Sequence, residues 1–313
     1  MNKLVSVVIP TSTSRTKYLK RALMSVESQD YRNLEVIIVV DGGSDEVDEL
    51  IEGLSFVIPL QIIHTPEKVG GSEARNIGVR EAKGVFIALL DDDDEWYVDK
   101  ISSQMRLIET NGLTEKDDFL CFTSLHRYKD ISDKTYQKIP NVDFKESNLK
   151  RISDYLFETK GFRNIGFIQT STTLVPRRLL IATPFTKGLP KHQDWDWLLR
   201  LDKNHDLKII QVEEPKIIYH SDIPAEKRVG YINRWRFTED WGNSHKLLFS
   251  TKGYESFVLN YVIMGIAEDL TLSKKEKKKE IQKRLDHLSW KTRLSPYAFK
   301  MWVYRIKEKW RTS

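Results

Sequence analysis

The chain has 313 residues, of which 40% are hydrophobic and 30% are charged, the composition of an ordinary globular protein with a sizeable core. Its single cysteine, Cys121, excludes a disulfide framework and a cysteine-based zinc site. The apolar run that ends at Pro10 is too short for a signal peptide, and no stretch has the roughly eighteen apolar residues of a membrane span. We therefore expect a cytoplasmic protein that is soluble or peripheral at a membrane.

The first 130 residues alternate β-branched strand patterns with helical patterns, which predicts a mostly parallel sheet with helices on both faces. The strand patterns lie at 5–11, 34–41, 60–65, 84–91 and 118–128, and helical patterns lie at about 15–29, 45–54, 72–82 and 97–111. Ligands of such sheets bind beyond the carboxyl ends of the strands. We therefore expect the residues that follow the first, second and fourth strands to converge on one crevice. No dinucleotide fingerprint or phosphate loop is present in the glycine-rich segments.

The second half of the chain is less regular. Residues 131–165 are polar and weakly patterned, which indicates a loop-rich region or a lid, and a strand pattern then ends at Pro176. A loop leads into a helix near Trp195, and Pro215 divides two further short strands. We divide the chain into a body of residues 1–225, with halves 1–130 and 131–225, and a mostly helical extension of residues 226–313.

The charge is concentrated in the last segment. Residues 273–313 carry 14 Lys+Arg against 4 Asp+Glu, a net charge of +10, whereas the rest of the chain has a net charge of −5. Aromatic residues are interleaved with these cations, at Trp290, Tyr297, Phe299, Trp302, Tyr304 and Trp310. Such a segment can pack on the body or another subunit, lie on an anionic membrane surface, or line a nucleic-acid groove. Since nothing in the body favours nucleic acid, we expect no nucleic-acid partner.

Four consecutive aspartates, Asp91 to Asp94, follow the fourth strand directly. Carboxylates this close repel one another unless cations or hydrogen-bond donors intervene. Carboxylate oxygens suit magnesium or manganese, which complete their coordination with water and substrate phosphates. The run is therefore interpreted as a metal–diphosphate clamp, and one of the four, Asp94 or a neighbour, is expected to cap the helix that follows.

These motifs resemble a known family. The stretches "SVVIPT", "IIVVDGGSDE", "GGSEARNIGVREAKG" and "VFIALLDDDDEW", in this order, resemble the nucleotide-binding half of the family 2 glycosyltransferases, and the later "GLPKHQDWDWLLRL" resembles the acidic motif of their acceptor side. The resemblance covers roughly residues 4–220. It implies the Rossmann-like A-type glycosyltransferase fold, with residues 1–130 as the nucleotide-sugar-binding half and residues 131–225 as the acceptor-side half.

The resemblance also implies roles for individual residues on the donor side. Asp91, Asp92 and Asp93 match the D-x-D element, which holds a divalent cation, Mn²⁺ or Mg²⁺, and the donor. Asp41 matches the acid that binds the uracil N–H, and is otherwise a turn residue. The remaining donor contacts implied are Pro10, Thr11, Thr13 and Arg15 along the nucleotide, and Arg75 and Asn76 near the phosphates. An alternative for Arg75 is a purely structural ion pair with the aspartate run.

On the acceptor side, the resemblance implies that Asp194 is the base of an inverting transfer; its alternative is a helix N-cap. Gln193 stands where the family usually has Glu, and Asp196 is expected to face elsewhere. His220 is placed as a third metal ligand beside Asp91 and Asp93, although a lone histidine after a strand is often structural. His192 is a weaker candidate for an acceptor contact. Of four tryptophans, we expect one near the acceptor, Trp195, and the others in the core: Trp197, Trp235 and Trp241.

The sequence thus predicts a metal-dependent inverting glycosyltransferase that moves a hexose, glucose or galactose, from a UDP-sugar to a glycan acceptor of a polysaccharide or glycoprotein. Peripheral membrane contact or homo-oligomer formation is assigned to the basic extension. Two other functions stay open. One is a catalytically silent nucleotide-sugar-binding scaffold subunit, and the other is a sugar-nucleotide nucleotidyltransferase, for which "TSTSRTK" is a poor match to the expected loop.

Overall fold

The computed structural model describes residues 2–13, 15–43, 45–130, 135–161, 163–220 and 233–299. The aromatic residues predicted in the extension from Trp302 onward lie outside these ranges. The chain forms two compact units. The first comprises Met1–Lys145 and Ile168–Pro224, and the second comprises Glu146–Phe167 and Ala225–Ser313. The segment 146–167, which the sequence analysis placed in the acceptor-side half, therefore groups with the C-terminal residues.

The first unit is built on one nine-stranded sheet in the order β3-β2-β1-β4-β10-β6-β11-β5, with β7 paired to β6. A separate pair, β8 and β9, lies in the second unit. The strands are β1 (Val5–Ser12), β2 (Leu34–Asp41), β3 (Leu60–His64), β4 (Phe86–Leu89), β5 (Asp94–Trp96), β6 (Phe119–Asp130), β7 (Thr135–Ile139), β8 (Thr159–Lys160), β9 (Arg163–Asn164), β10 (Thr173–Pro176) and β11 (Lys208–Tyr219).

The parallel part of the sheet positions the site. β1 pairs in parallel with β2 on one side and with β4 on the other, so their carboxyl ends lie side by side. The strands are rich in β-branched residues, and Val5, Val7, Ile9 and Val36 are almost fully buried. The three strand ends expected to converge, at Thr11, Asp41 and the aspartate run, therefore meet at one edge.

The second half of the sheet is mixed. β10 runs antiparallel to β4 and β6, and β5 runs antiparallel to β11, whereas β11 runs parallel to β6. One sequence expectation is wrong here, because Pro215 does not divide two strands. It lies in β11 at a shift of register against β6, where an irregular ladder tolerates a residue without an N–H.

Thirteen α-helices are found in the described part of the chain. They are α1 (Thr16–Glu27), α2 (Asp45–Glu52), α3 (Gly71–Glu81), α4 (Lys100–Thr110), α5 (Phe144–Ser147), α6 (Ile152–Phe157), α7 (Arg177–Ala182), α8 (Gln193–Asn204), α9 (Trp235–Ser244), α10 (Thr251–Phe257), α11 (Met264–Glu268), α12 (Lys274–Leu285) and α13 (Trp290–Arg293). A 3-10 turn covers Thr170–Thr172, just before β10. None of the helices in the described ranges is long and apolar enough to cross a membrane.

The second unit has its own aromatic core. Phe157 lies against Phe249 and Phe257, with ring centroids 5.2 and 5.4 Å away, and all three side chains are buried. Helix α12 begins with a capping box in which Ser273 and Glu276 satisfy each other's backbone N–H groups. The described part of the basic extension is therefore mostly helical, and it contains α9 to α13.

Candidate active site

The four aspartates form a turn directly after β4. The chain leaves β4 at Leu89 and turns, with the N–H of Asp94 donating to the carbonyl oxygen of Asp91 at 3.1 Å. Ser171 supports this turn from the 3-10 segment before β10. Its hydroxyl accepts from the N–H of Asp91 at 3.0 Å and donates to the carboxylate of Asp94 at 2.6 Å. Gln169 donates to the same Asp94 oxygen at 2.5 Å.

Three of these carboxylates form one cluster. Asp91, Asp93 and Asp94 each offer an oxygen, and the three oxygens lie within 4.8 Å of one another. Burial and the neighbouring charges of Asp91 and Asp92 raise the pKa of Asp93 to about 6, and burial raises the pKa of Asp94 well above its usual value. A divalent cation relieves such repulsion, and an all-oxygen donor set is what Mg²⁺ and Mn²⁺ prefer. The cluster therefore fits the metal that the sequence implied.

Asp92 is held by side chains from the end of β1 and the start of α1. It accepts from the hydroxyl of Thr11 at 2.7 Å and from the guanidinium of Arg15 at 2.6 and 2.8 Å. Arg15 also lies 3.0 Å from Asp93, and although burial opposes it, these carboxylates raise the pKa of Arg15. Asp92 therefore ties the aspartate turn to the end of β1.

Arg75 connects the two acidic motifs. One guanidinium nitrogen donates to Asp91 and the other donates to the side chain of Gln193 at 3.2 Å, while its Nε is buried without a hydrogen-bond partner among the described residues. The guanidinium also lies 5.5 Å from the ring centroid of Phe185. Arg75 thus does pair with the aspartate run, as its structural alternative required. Its buried Nε is a donor that the described residues leave unsatisfied.

Asp194 lies in the first turn of α8, next to this network. The N-cap position is His192, so Asp194 is not the helix cap that its alternative required. Burial raises the pKa of Asp194, the charge of Asp91 adds to the rise, and Arg75 opposes it. Asp196 faces elsewhere, since it is fully buried and accepts from Thr186 at 2.7 Å. Asp194 is therefore a carboxylate with a raised pKa beside the aspartate cluster.

Asp41 holds the loop after β3. Its two oxygens accept from the N–H groups of Val69 and Gly70 at 2.6 and 3.1 Å. Gly70 has a φ of +82°, a conformation that favours glycine, and it precedes α3 directly. Pro10 lies within β1, opposite Val39 of β2. Asp41 and Pro10 therefore stand at one strand edge.

Asn76 and Thr13 are two further residues predicted to contact the donor. The side chain of Asn76 donates to the carbonyl oxygen of Phe185 at 2.9 Å and accepts from its N–H at 2.9 Å, so it fastens α3 to the loop before α8. Thr13 lies just beyond the end of β1 and is half-buried. The position of Asn76 makes it a residue that holds the neighbouring Arg75 in place.

His220 lies outside the carboxylate cluster. Its Nε2 is 2.8 Å from Glu95, its ring centroid is 5.5 Å from that of Tyr128 with the planes tilted by 42°, and it is not among the three grouped residues. The structure therefore places Asp94, rather than His220, beside Asp91 and Asp93. The sequence analysis treated Asp94 as a candidate helix cap, but α4 begins at Lys100, because β5 comes first.

The four tryptophans differ in burial. Trp197, Trp235 and Trp241 are buried. Trp195 is half-buried and stacks on His192, with 4.4 Å between the ring centroids and 8° between the planes. Burial lowers the pKa of His192 to about 3. These two rings form a neutral aromatic pair beside Asp194.

Two supporting residues were missed by the sequence analysis, Gln169 and Ser171, and the partner of Gln193 was not predicted. Gln169 and Ser171 fix Asp94, and Gln193 accepts from Arg75. The polar string "QTSTT" inside a strand pattern was the available signal, since buried polar groups in a core need partners.

The chain is similar in sequence to a known protein family. The model of the family "Glycosyl transferase family 2" matches residues 6–180, more than half of the chain. The chain belongs to glycosyltransferase family 2. This confirms the resemblance drawn from the sequence motifs, and the matched residues contain β1 from its second residue, β2 to β4, the aspartate run and β10.

Two characterised relatives set the context. The amylovoran biosynthesis glycosyltransferase AmsB of Erwinia amylovora is 30% identical over 218 residues, which cover 69% of each chain. The Escherichia coli UDP-Glc:alpha-D-GlcNAc-diphosphoundecaprenol beta-1,3-glucosyltransferase WfaP is 28% identical over 170 residues, 53% of this chain and 64% of the relative.

Solved structures confirm the fold. Staphylococcus aureus TarS 1–349 in complex with UDP-GlcNAc has a TM-score of 0.58 at 18% identity, covering 91% of this chain and 73% of that one. The mannosyltransferase PcManGT of Pyrobaculum calidifontis, in complex with GDP-Man and Mn²⁺, has a TM-score of 0.54 at 15% identity, covering 99% and 88%. The predicted A-type α/β fold with a helical C-terminal region is therefore confirmed. The chain is a glycosyltransferase that shares its fold with enzymes that bind nucleotide sugars.

Proposed function

We propose that this glycosyltransferase moves a hexose, glucose or galactose, from a UDP-sugar to a hydroxyl group of a glycan acceptor, with inversion at the sugar C1. The observation that carries the proposal is the placement of Asp194 beside the pair of Arg75 and Asp91. A general base and the groups suited to a diphosphate thus lie in one small region. WfaP, whose name specifies UDP-Glc, supports UDP-glucose as the first donor to test.

The donor is held at the strand edge in this proposal. The carboxylate of Asp41 accepts from the uracil N–H, while Pro10, Thr11 and Thr13 line the nucleotide. Asp91, Asp93 and Asp94 hold Mn²⁺ or Mg²⁺, and a bound ion there neutralises charge on the diphosphate. The buried guanidinium of Arg75 donates to the diphosphate oxygens, and its neighbours fix its orientation.

Asp194 then moves the proton. Its carboxylate accepts the proton of the acceptor hydroxyl as the hydroxyl oxygen forms a bond to C1 of the sugar and the bond from C1 to the diphosphate oxygen breaks. The products are the glycoside, UDP and a protonated Asp194. The raised pKa of Asp194 suits this role, because it makes the carboxylate a stronger base than an exposed aspartate.

Replacement of Asp194 tests this proposal. Asp194→Asn keeps the size of the side chain and removes the base, so transfer should fall at least roughly a hundredfold while UDP still binds. Asp202→Asn, on the same helix, is the matched control and should transfer normally. Full transfer by Asp194→Asn would instead favour a different base, and full biological function without any transfer would favour the scaffold subunit.

We also propose that the basic extension contacts an anionic membrane surface. Trp290, Leu294 and Phe299 are 64%, 77% and 57% exposed, and they lie in a segment with a net charge of +10. Exposed aromatic and aliphatic side chains among cations suit a membrane interface. A cytoplasmic location belongs to this proposal, since Cys121 is a buried free thiol.

A further inference from the structure

A row of aromatic side chains lies on one face of four adjacent strands, β7, β6, β11 and β5. Residues that pair directly across strands share a face, and the pairs Glu95 with Ile218, Ile218 with His126, and Tyr128 with Tyr136 carry this face across all four strands. We call six of the side chains on it the aromatic row: Glu95, Tyr97, His126, Tyr128, Tyr136 and His220. Lys138, which pairs with His126, shares this face and forms an ion pair with Asp143 at 2.6 Å.

The rings of the aromatic row follow one another closely. The ring centroid of Tyr128 lies 5.5 Å from that of His220 and 4.7 Å from that of Tyr136, and Tyr136 lies 5.1 Å from His126. The interplanar angles of these three pairs are 34° to 42°. The row therefore presents four rings in sequence, those of His220, Tyr128, Tyr136 and His126.

The opposite face of the same strands packs in the hydrophobic core. Trp96, Leu125 and Ile217 belong to the buried apolar core. In the aromatic row, by contrast, Tyr136 is 38% exposed and Tyr128, His126 and Tyr97 are only half-buried. Core packing therefore does not account for these rings, since they keep part of their surface in water.

The polar atoms of the aromatic row suit a saccharide. The hydroxyl of Tyr136 donates to that of Tyr128 at 3.2 Å, and the hydroxyl of Tyr97 is 2.9 Å from His126. Glu95 keeps 35% of its side chain exposed beside His220. A sugar offers an apolar C–H face to an aromatic ring and hydroxyl groups to carboxylates and phenols.

The position of the aromatic row places it next to the reaction. Glu95 is two residues beyond Asp93 of the carboxylate cluster, and Tyr128 and His220 stand at the carboxyl ends of β6 and β11, the edge where ligands of such sheets bind. We propose that the aromatic row binds the acceptor glycan, and that this acceptor has at least two sugar residues. This inference rests on the proposed function.

The experiment compares acceptor binding with donor hydrolysis. Wild type, Tyr136→Ala and Tyr136→Phe are applied, with UDP and Mn²⁺, to an array of defined oligosaccharides of two to six residues. We expect wild type to bind some oligosaccharides, Tyr136→Ala to lose about tenfold or more in affinity for them, and Tyr136→Phe, which keeps the ring, to bind within about threefold. Trp290→Ala, which removes an exposed ring elsewhere, is the matched control and should bind normally.

Release of UDP from the sugar nucleotide into water is measured for the same proteins. Hydrolysis by Tyr136→Ala should equal that of wild type, which a merely structural role of the ring would not predict. Equal array binding by wild type and Tyr136→Ala would overturn the inference, as would an absence of bound oligosaccharide for a wild-type enzyme that hydrolyses its donor. A wild type that neither hydrolyses a donor nor binds UDP would instead refute the proposed function.

Discussion

Asp93 is a residue whose charge destabilises the metal-free protein. Its pKa is raised from 3.8 to about 6, so the folded state disfavours the ionised carboxylate. A rise of this size corresponds to about 3 kcal/mol, and solvent screening of the partly exposed side chain reduces this to about 2 kcal/mol. Asp93→Asn should therefore raise the free energy of unfolding at pH 7.5 by about 2 kcal/mol in the presence of chelator.

The direction of the pH dependence follows from the linkage between protonation and folding. Because the folded pKa exceeds the unfolded one, the contribution of Asp93 to stability improves as the pH falls from 7 through about 6 towards 4, and Asp93→Asn should remove that part of the pH dependence. Saturating Mn²⁺ should stabilise wild type, by about 2.7 kcal/mol at a hundred times its dissociation constant, and should affect Asp93→Asn much less.

Urea unfolding at several pH values measures both effects. Asp118→Asn is a control of opposite sign, since Arg178 and His205 lower the pKa of Asp118 despite partial burial, and its replacement should destabilise the protein. A destabilised Asp93→Asn in chelator, or one that Mn²⁺ stabilises as much as it does wild type, would refute the reasoning about the carboxylate cluster.

Three further predictions concern catalysis and localisation. Arg75→Lys keeps a charge but replaces the planar fork, whose two terminal nitrogens contact Asp91 and Gln193, by a single nitrogen, so kcat/KM should fall roughly tenfold or more in a steady-state assay. Unchanged kinetics would contradict the guanidinium role. The activity of wild type should fall on acidification through a pKa above 3.8, because burial raises the pKa of Asp194, and a pH–rate profile flat down to pH 4 would argue against this base. Vesicles containing phosphatidylserine should co-sediment with wild type and less with Leu294→Asp, whereas neutral vesicles should bind neither; equal sedimentation would remove the membrane proposal.

Much of the fold follows from local chemistry. β1 and β2 are rich in β-branched residues and are buried on both faces, a pattern typical of the inner strands of a parallel sheet with helices on both sides. Pro215 shows where local reasoning fails. Proline normally ends a strand, but here the shift of register against β6 accommodates it, and pairing with a distant strand cannot be deduced from the neighbouring residues.

The site was predictable in its residue types but not in its partners. The four consecutive aspartates, Asp91 to Asp94, indicate a cation site from the sequence alone. Which three of them form the cluster depends on a turn and on Ser171, which is 80 residues from Asp91 in the sequence. The hydrogen bonds of Asp92 likewise come from Thr11 and Arg15. The order of the strands in the sheet, not their spacing along the chain, brings these two residues next to Asp92.

The most direct test of the account is release of UDP from a panel of UDP-sugars by the wild-type protein, with water as the only acceptor, in Mn²⁺ and in chelator. We predict slow hydrolysis of one UDP-hexose in Mn²⁺, and its loss in chelator and in Asp93→Asn. Hydrolysis that neither chelator nor Asp93→Asn reduces would contradict the metal-dependent clamp. A protein that binds no UDP at all would contradict the assignment of Asp41 and the aspartate run to the donor.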